Sequence, residues 1–376
     1  MMPSKLYLER LEKIKKTIAL ENDKPMTSYL GPATPAAYMG VTMAEYVNDL
    51  DKNLDVALAY LNAINERTSV DSLNSGALGV KVNVLLAGLW LSRVKMPGRE
   101  LPENSLWQVE EKKVMQDEDY DLVIEKGYDA LVQKIFPQII DMNELQEFTI
   151  YMEKNGANNV KKIIDNDYPI INSGAAAPPF EMLCGARSMT HFFMDCYKKP
   201  DKVRAAIEAM LPRMIENMIG AVKGANGMGT WVGGWRGASA MVAPKIWDEF
   251  VWPPMYKMGM ACIENGIVPT LHLDQNWDRD IARFREFPAK SIIINTDGLT
   301  DLRNARKVLG DHAAFMGDVP PQLLSTGTPQ QVKNYVKNLI DDIGPQGLFI
   351  SSGCDAPANA KFENMVAMFE AANEWS

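Results

Sequence analysis

The segment IVPTLHLD (267–274) decides how the chain is read, because it recurs in form: KSIIINTD (290–297), HAAFMGDV (312–319) and GLFISSGC (347–354) are also short apolar runs that stop at polar or glycine residues. The runs are apolar nearly throughout rather than alternating, the pattern of strands buried on both faces of a parallel sheet. Between them, DRDIARFREFP (278–288), DLRNARKVLG (301–310) and TPQQVKNYVKNLIDDIG (328–344) read as helices, the last with Thr328 as its N-cap. The same alternation extends outward. YPIINSG (168–174) and GTWVGGW (229–235) read as strands, residues 200–227 as a long helix ending at glycines, and residues 244–266 as a helix broken at its Pro pair. FENMVAMFEAANEW (362–375) closes the chain as a helix. Regular strand–helix units with short connections predict a (β/α)8 TIM barrel, an α/β fold, with a doubly wound open sheet as its rival. No GxGxxG lies early between a strand and a helix, which weakens the dinucleotide-binding version of that rival.

The amino-terminal part is less regular. The first 23 residues read as a helix, with Leu8, Leu11, Ile14 and Ile18 on one stripe. Residues 1–24 are expected to be a helical extension of a single barrel domain spanning 1–376. PMTSYLGPATPAAYMG (25–40) reads as a short strand and a Gly/Pro-rich loop, and 42–68 as one helix in which Thr42 and Glu45 form a capping box. GALGVKVNVLLAGLWLSRV (76–94) is expected to supply strands, PGRELPEN (97–104) a loop, and the region from about 117 to 165 helices.

Composition bounds the function. With 376 residues, 47 % of them hydrophobic, the chain can bury one large core or two smaller ones. The net charge of −9 and the lack of dense basic runs argue against nucleic acid as a partner. No uncharged apolar run approaches membrane-spanning length and the amino terminus lacks signal-peptide features, so no membrane and a cytoplasmic location are expected. Cys184, Cys196, Cys262 and Cys354 are far apart with no CxxC, which suits small buried hydrophobes in a reducing compartment. The open question is whether one of them does more.

In a parallel barrel the chemistry sits at the carboxyl ends of the strands. His272 and Asp274 are two apart, so on a strand they share a face, and Cys354 ends a later strand. Imidazole, carboxylate and thiolate are all zinc ligands, and three of them leave one position open. The competing reading is a capping aspartate beside a hydrogen-bonded histidine, with Cys354 as filler. Trp231 and Trp235 flank a Gly pair and either stack on a planar ligand or pack in the core. Asn172, Glu181, Asp297 and Asp318 stand at or just after strand ends and are candidates for a substrate pocket. His191, in SMTHFFMDCYKKP (188–200), is a further pocket candidate, with a packed helix position as its other reading. His312 opens a strand on the stability face and is given no chemistry.

The block 317–375 resembles the carboxy-terminal part of the uroporphyrinogen decarboxylase superfamily, above all its corrinoid-dependent methyltransferase branch. The likeness lies in GDV (317–319), LLSTGTPQQV (323–332), GLFISSGCDAP (347–357) and ENM (363–365), with VPTLHLD and IIINTD standing where the superfamily has its preceding strands. The resemblance implies a (β/α)8 barrel. It also separates two branches. True decarboxylases carry an arginine-bearing RQAGRY-like segment near the amino terminus, whereas SYLGPATPAAYMG (28–40) has no arginine. The methyltransferase branch holds zinc through a His-x-Cys pair and a later Cys in a GC segment; His272 and Cys354 match, and Asp274 stands where that branch has its first Cys.

The implied activity moves a methyl group between a small-molecule donor or acceptor and the cobalt of a corrinoid. With no DxHxxG segment in this chain, the corrinoid is expected on a separate corrinoid-binding protein. A carboxylate in place of a thiolate leaves zinc more electrophilic, which favours O-demethylation of a methoxylated aromatic. The alternatives are corrinoid-to-thiol methyl transfer, uroporphyrinogen or related decarboxylation, and a non-catalytic binding protein.

Overall fold

The computed structural model describes residues 3–76 and 78–375. Met1 and Met2 of the expected amino-terminal extension, Ala77 of the 76–94 stretch and Ser376 lie outside the described residues. Eight strands form a closed barrel: β1 (Met26–Tyr29), β2 (Ser72–Ser75), β3 (Ile170–Ala176), β4 (Gly229–Gly234), β5 (Val268–Leu273), β6 (Ile293–Thr296), β7 (Ala314–Val319) and β8 (Leu348–Ser352). Every neighbouring pair is parallel, and β1 pairs with both β2 and β8. That closure excludes the open sheet.

The pleat explains why the runs looked uniformly apolar. Leu271, Ile294, Phe315 and Ile350 point outward into the main core beneath the helices. Met26, Ile171, Ile293, Ala314 and Phe349 point inward at the amino-terminal end and pack with Ile14. The helix Lys5–Ile18 therefore seats on the barrel floor through Ile14, while Leu8 at its start is exposed. One apolar floor and one apolar outer shell leave the upper interior free for polar side chains.

Several elements differ from the sequence reading for local reasons. The expected helix over 42–68 is two, Met43–Asn48 and Leu50–Asn65, because Asp49 is extended and caps the second by accepting from the Lys52 N–H. The expected Thr42–Glu45 capping box forms, and Thr328 caps its helix as expected, with Gln331 completing a second box. The break in 244–266 is a π-turn at Trp247–Val251, and Pro253 and Pro254 begin the helix Trp252–Glu264, where a missing N–H costs nothing. DRDIARFREFP forms only a 3-10 turn, Ile281–Glu286. Most importantly, 76–94 is not a set of strands: Val82–Trp90 is a helix lying over the barrel mouth, followed by a short antiparallel pair, Arg93–Lys95 with Gln108–Glu110.

The end of that helix is held by a close backbone approach. A Cβ built on Gly185, in the helix Pro179–Arg187, would lie 1.8 Å from the Trp90 carbonyl oxygen. Gly185→Ala must displace the Trp90 end, and over-packing of this kind costs about 1–3 kcal/mol. Gly220 is an instructive control, since its Cβ would meet nothing within 4 Å on the helix Pro200–Gly224. Gly220→Ala is expected to stabilise by about 0.5–1 kcal/mol. Urea unfolding of both variants checks the opposite signs.

Candidate metal centre

Strand β5 lies between β4 and β6, with His272 opposite Gly233 on one side and Asn295 on the other. Thr270 and His272 face inward, and Asp274 follows at the strand's carboxyl end. A Cβ on Gly233 would lie 2.6 Å from the Trp231 ring and 2.8 Å from the His272 Cβ, so glycine there lets both side chains share the mouth. Cys354 enters from the turn after β8. The potential ligand atoms of His272, Asp274 and Cys354 all lie within 4.8 Å of one another. His272 Nε2 is 3.1 Å from Asp274 Oδ1. Two atoms bound to one tetrahedral zinc lie about 3.4 Å apart, so the donor set fits that ion with small adjustment.

Strand β6 organises all three groups. Asn295 Nδ2 donates to the carbonyls of Met316 (3.1 Å) and Gly353 (3.3 Å). Carbonyls only accept, so the amide is oriented with Oδ1 toward His272 Nδ1, 2.7 Å away. His272 must then donate from Nδ1, which turns Nε2 toward Asp274 and Cys354 as the ligand nitrogen. The Gly353 contact ties the same asparagine to the residue before Cys354. Two residues along, Asp297 accepts from the N–H groups of Gln275 and Leu299, both at 2.8 Å, fixing the loop just after Asp274. Trp277 Nε1 adds a 2.7 Å bond to the Asp274 carbonyl.

Without metal the trio has a definite electrostatic state. Burial opposes charge on His272, but Asp274 and Cys354 outweigh it and hold the imidazole well above its usual pKa. Burial likewise raises Asp274, yet His272 prevails and the carboxyl titrates below its usual range. The Cys354 thiol is pushed up to about 11 by burial, against the pull of His272. Asp355 lines the same recess.

A cavity of about 260 Å³ opens above the trio. Trp231 and Trp235 both line it, with Tyr29, Trp90 and leucines of the helix Val82–Trp90. The Trp231 ring sits 5.2 Å from the His272 ring and meets Trp90 edge-on at 6.2 Å. The remaining sequence candidates stand elsewhere. Asn172 is buried in the barrel interior, donating to Asn74 Oδ1 at 3.1 Å. Glu181 is buried behind the wall, where it accepts from the Gly237 N–H at 2.7 Å; burial raises its pKa against the pull of Arg236. Asp318 accepts from the Tyr335 hydroxyl at 2.7 Å, and Asp297 serves the loop as described. His191 is exposed on the helix Met189–Lys198, beside Ser188 Oγ at 3.0 Å. The residues that sequence reasoning left without a role are Asn295, Asp355 and Trp90. Asn295 ends the run KSIIIN opposite His272, a pairing invisible without the register.

The Asn295 contact makes a measurable prediction. Asn295→Leu removes the acceptor for Nδ1 and the tie to Gly353, and loss of such an outer partner weakens metal affinity about 10–100-fold. Competition for zinc against a chelator should show that loss with helical content unchanged by circular dichroism.

The family model described as uroporphyrinogen decarboxylase (URO-D) matches residues 139–375. Among solved structures, a methyltransferase from Methanosarcina mazei superposes with a TM-score of 0.68 at 16 % identity, over 97 % of this chain and 97 % of that one. A B12-independent methionine synthase from Shewanella sp. W3-18-1, in complex with selenomethionine, gives 0.47 at 11 % identity over 93 % and 97 %. No curated protein matches the chain. The first structural likeness shows a common fold, and the family match takes in β3 to β8 together with His272, Asp274 and Cys354. The chain belongs to the uroporphyrinogen decarboxylase (URO-D) family.

Proposed function

We propose that this protein is a zinc-dependent methyltransferase. It moves a methyl group between a small substrate and the cobalt of a corrinoid carried by a separate protein. The favoured direction is O-demethylation of a methoxylated aromatic compound. The observation that carries the reading is the convergence of His272, Asp274 and Cys354 beneath an aromatic-walled cavity at the catalytic end of the barrel. His272 Nε2, a carboxylate oxygen of Asp274 and Cys354 Sγ would hold the ion. When bound, zinc supplies Lewis acidity toward a heteroatom of the substrate.

The chain's own groups supply the rest. Asn295 keeps the His272 Nδ1 proton in place, so Nε2 stays the ligand atom. Asp274 is a harder donor than a thiolate, which suits polarising an oxygen leaving group over activating a sulfur nucleophile. Trp231 and Trp90 offer ring faces and edges beside the trio for an aromatic substrate. The methyltransferase of M. mazei, which shares the fold over nearly its whole length, supports the choice of reaction class.

Decarboxylation of a polyanionic tetrapyrrole fits less well. Among the described residues lining the cavity, none is Lys or Arg to meet the tetrapyrrole's carboxylates. Corrinoid-to-thiol transfer remains the second reading, favoured by the same zinc-ligand chemistry with a sulfur acceptor.

Purified protein is expected to carry stoichiometric zinc, and His272→Ala and Cys354→Ala to lose it. Retention of full zinc by Cys354→Ala would exclude the three-ligand centre. Turnover should be measured with a methoxyarene and, separately, with a small thiol, each supplied with a corrinoid protein. Methyl transfer from the methoxyarene is expected to be abolished by chelation and restored by zinc. Robust activity with the thiol alone would overturn the preferred direction.

A further inference from the structure

We infer that a second cavity, beside the metal-centre cavity, binds the uncharged apolar body of the substrate while its reacting heteroatom lies at the trio. This rests on the reading of the trio as the reacting centre. The second cavity measures about 400 Å³ and is lined by Val84, Gly88, Phe136, Phe148, Met182 and Met218, among others. It shares Val80, Leu85, Leu89 and Ala175 with the cavity above the trio. The two therefore adjoin along these four residues, of which Leu85 and Leu89 belong to the helix Val82–Trp90.

That arrangement accounts for the unusual composition of the helix Val82–Trp90. VNVLLAGLW is apolar nearly all round, whereas a helix on a protein's surface keeps one polar face. Leu86 faces the first cavity, Val84 and Gly88 face the second, and Leu85 and Leu89 border both. An element bathed by apolar space on two sides has no use for a polar face. The apolar residues on the second side are left over if only the metal cavity takes substrate.

Size and chemistry agree. Small-molecule sites occupy about 300–1,000 Å³, so the cavity above the trio alone falls short, whereas the two together lie within the range. Among the described residues lining the second cavity there is no Asp, Glu, Lys, Arg or His; Tyr128 and Asn217 are its polar side chains. A charged ligand would lose its hydration there without a partner. Met182, Met214 and Met218 form an adaptable wall suited to an alkyl or aryl extension of variable shape.

Gly88 allows a clean test. It lines only the second cavity, and a Cβ there would meet nothing within 4 Å, so a larger side chain projects into free space. Binding of para-alkylanisoles, from methyl to pentyl, and of 1-alkanols of matching length is measured by calorimetry on the zinc-loaded chain without a corrinoid protein. In the unmodified protein, Kd is expected to tighten about three- to four-fold per added methylene in both series. Gly88→Phe should flatten both gradients and leave para-methylanisole within about two-fold, while Gly88→Ala should keep the gradients. A chain-length gradient removed by Gly88→Phe upholds the site whatever becomes of methyl transfer. A flat series in the unmodified protein, or a gradient that survives Gly88→Phe, overturns it even if short methoxyarenes are turned over.

Discussion

The hydrogen bond between His272 Nδ1 and Asn295 Oδ1 is the constraint on which the site depends. It needs β5 and β6 in one register, with His272 directly opposite Asn295, as they stand within the closed barrel. The same amide reaches Gly353 on the far side, so one buried side chain fixes both the histidine and the turn that presents Cys354. Asp297, at the end of the same strand, secures the backbone after Asp274. Three candidate ligand groups from two distant strands are thus referred to a single strand between them in the fold. An orphaned partner in such a dry network costs about 1–3 kcal/mol, which makes the arrangement specific as well as stable.

Much of this was legible in sequence where the physics is local or periodic. The apolar runs from 267 onward announced strands buried on both faces, and the spacing of His272 and Asp274 put them on one face. Thr42 with Glu45, and Thr328 as an N-cap, declared helix starts that the structure contains. The failures were of two kinds. In VNVLLAGLW the apolar run has no clear period, so a short helix reads like buried strands until the space on both sides of it is known. Asn295, by contrast, has no signal of its own: its importance comes from a neighbour 23 residues away, set by pairing register. Glu181 and Asp318 show the converse, since a carboxylate near a strand end can turn to Gly237 or Tyr335 and leave the mouth entirely.

The apolar cavity wall has a charged backing. Arg236 is almost fully buried, its guanidinium 4.3 Å from the Trp235 ring centre and 5.4 Å from that of Trp90, with Glu181 3.7 Å from Nη1. Its Nε and Nη1 have no hydrogen-bond partner among the described residues. Burying such a pair is costly, and the attraction of the cation to two indole faces offsets part of the penalty. The consequence for the site is geometric. Both tryptophans contact one planar group, Arg236, which does not itself line the cavity, so the wall offers their indole rings to a ligand while the charge stays behind them.

Charge balance explains what a carboxylate contributes at position 274. With no metal, the raised imidazole is protonated, the lowered carboxyl is ionised and the Cys354 thiol keeps its proton, so the trio is neutral in sum. To ligate a divalent cation, His272 must give up its Nε2 proton and Cys354 its thiol proton. Two positive charges leave as two arrive, and the trio with its ion is again neutral. A buried site is stable only near such neutrality. A second thiol at 274 would reach the same total with metal, but without it there would be no anion to pair with His272, and burial would strip the imidazole of its charge. For a metal held as proposed, Asp274 would pre-form the site: the His272–Asp274 ion pair already sets the two candidate donor atoms 3.1 Å apart, close to the separation a tetrahedral ion requires.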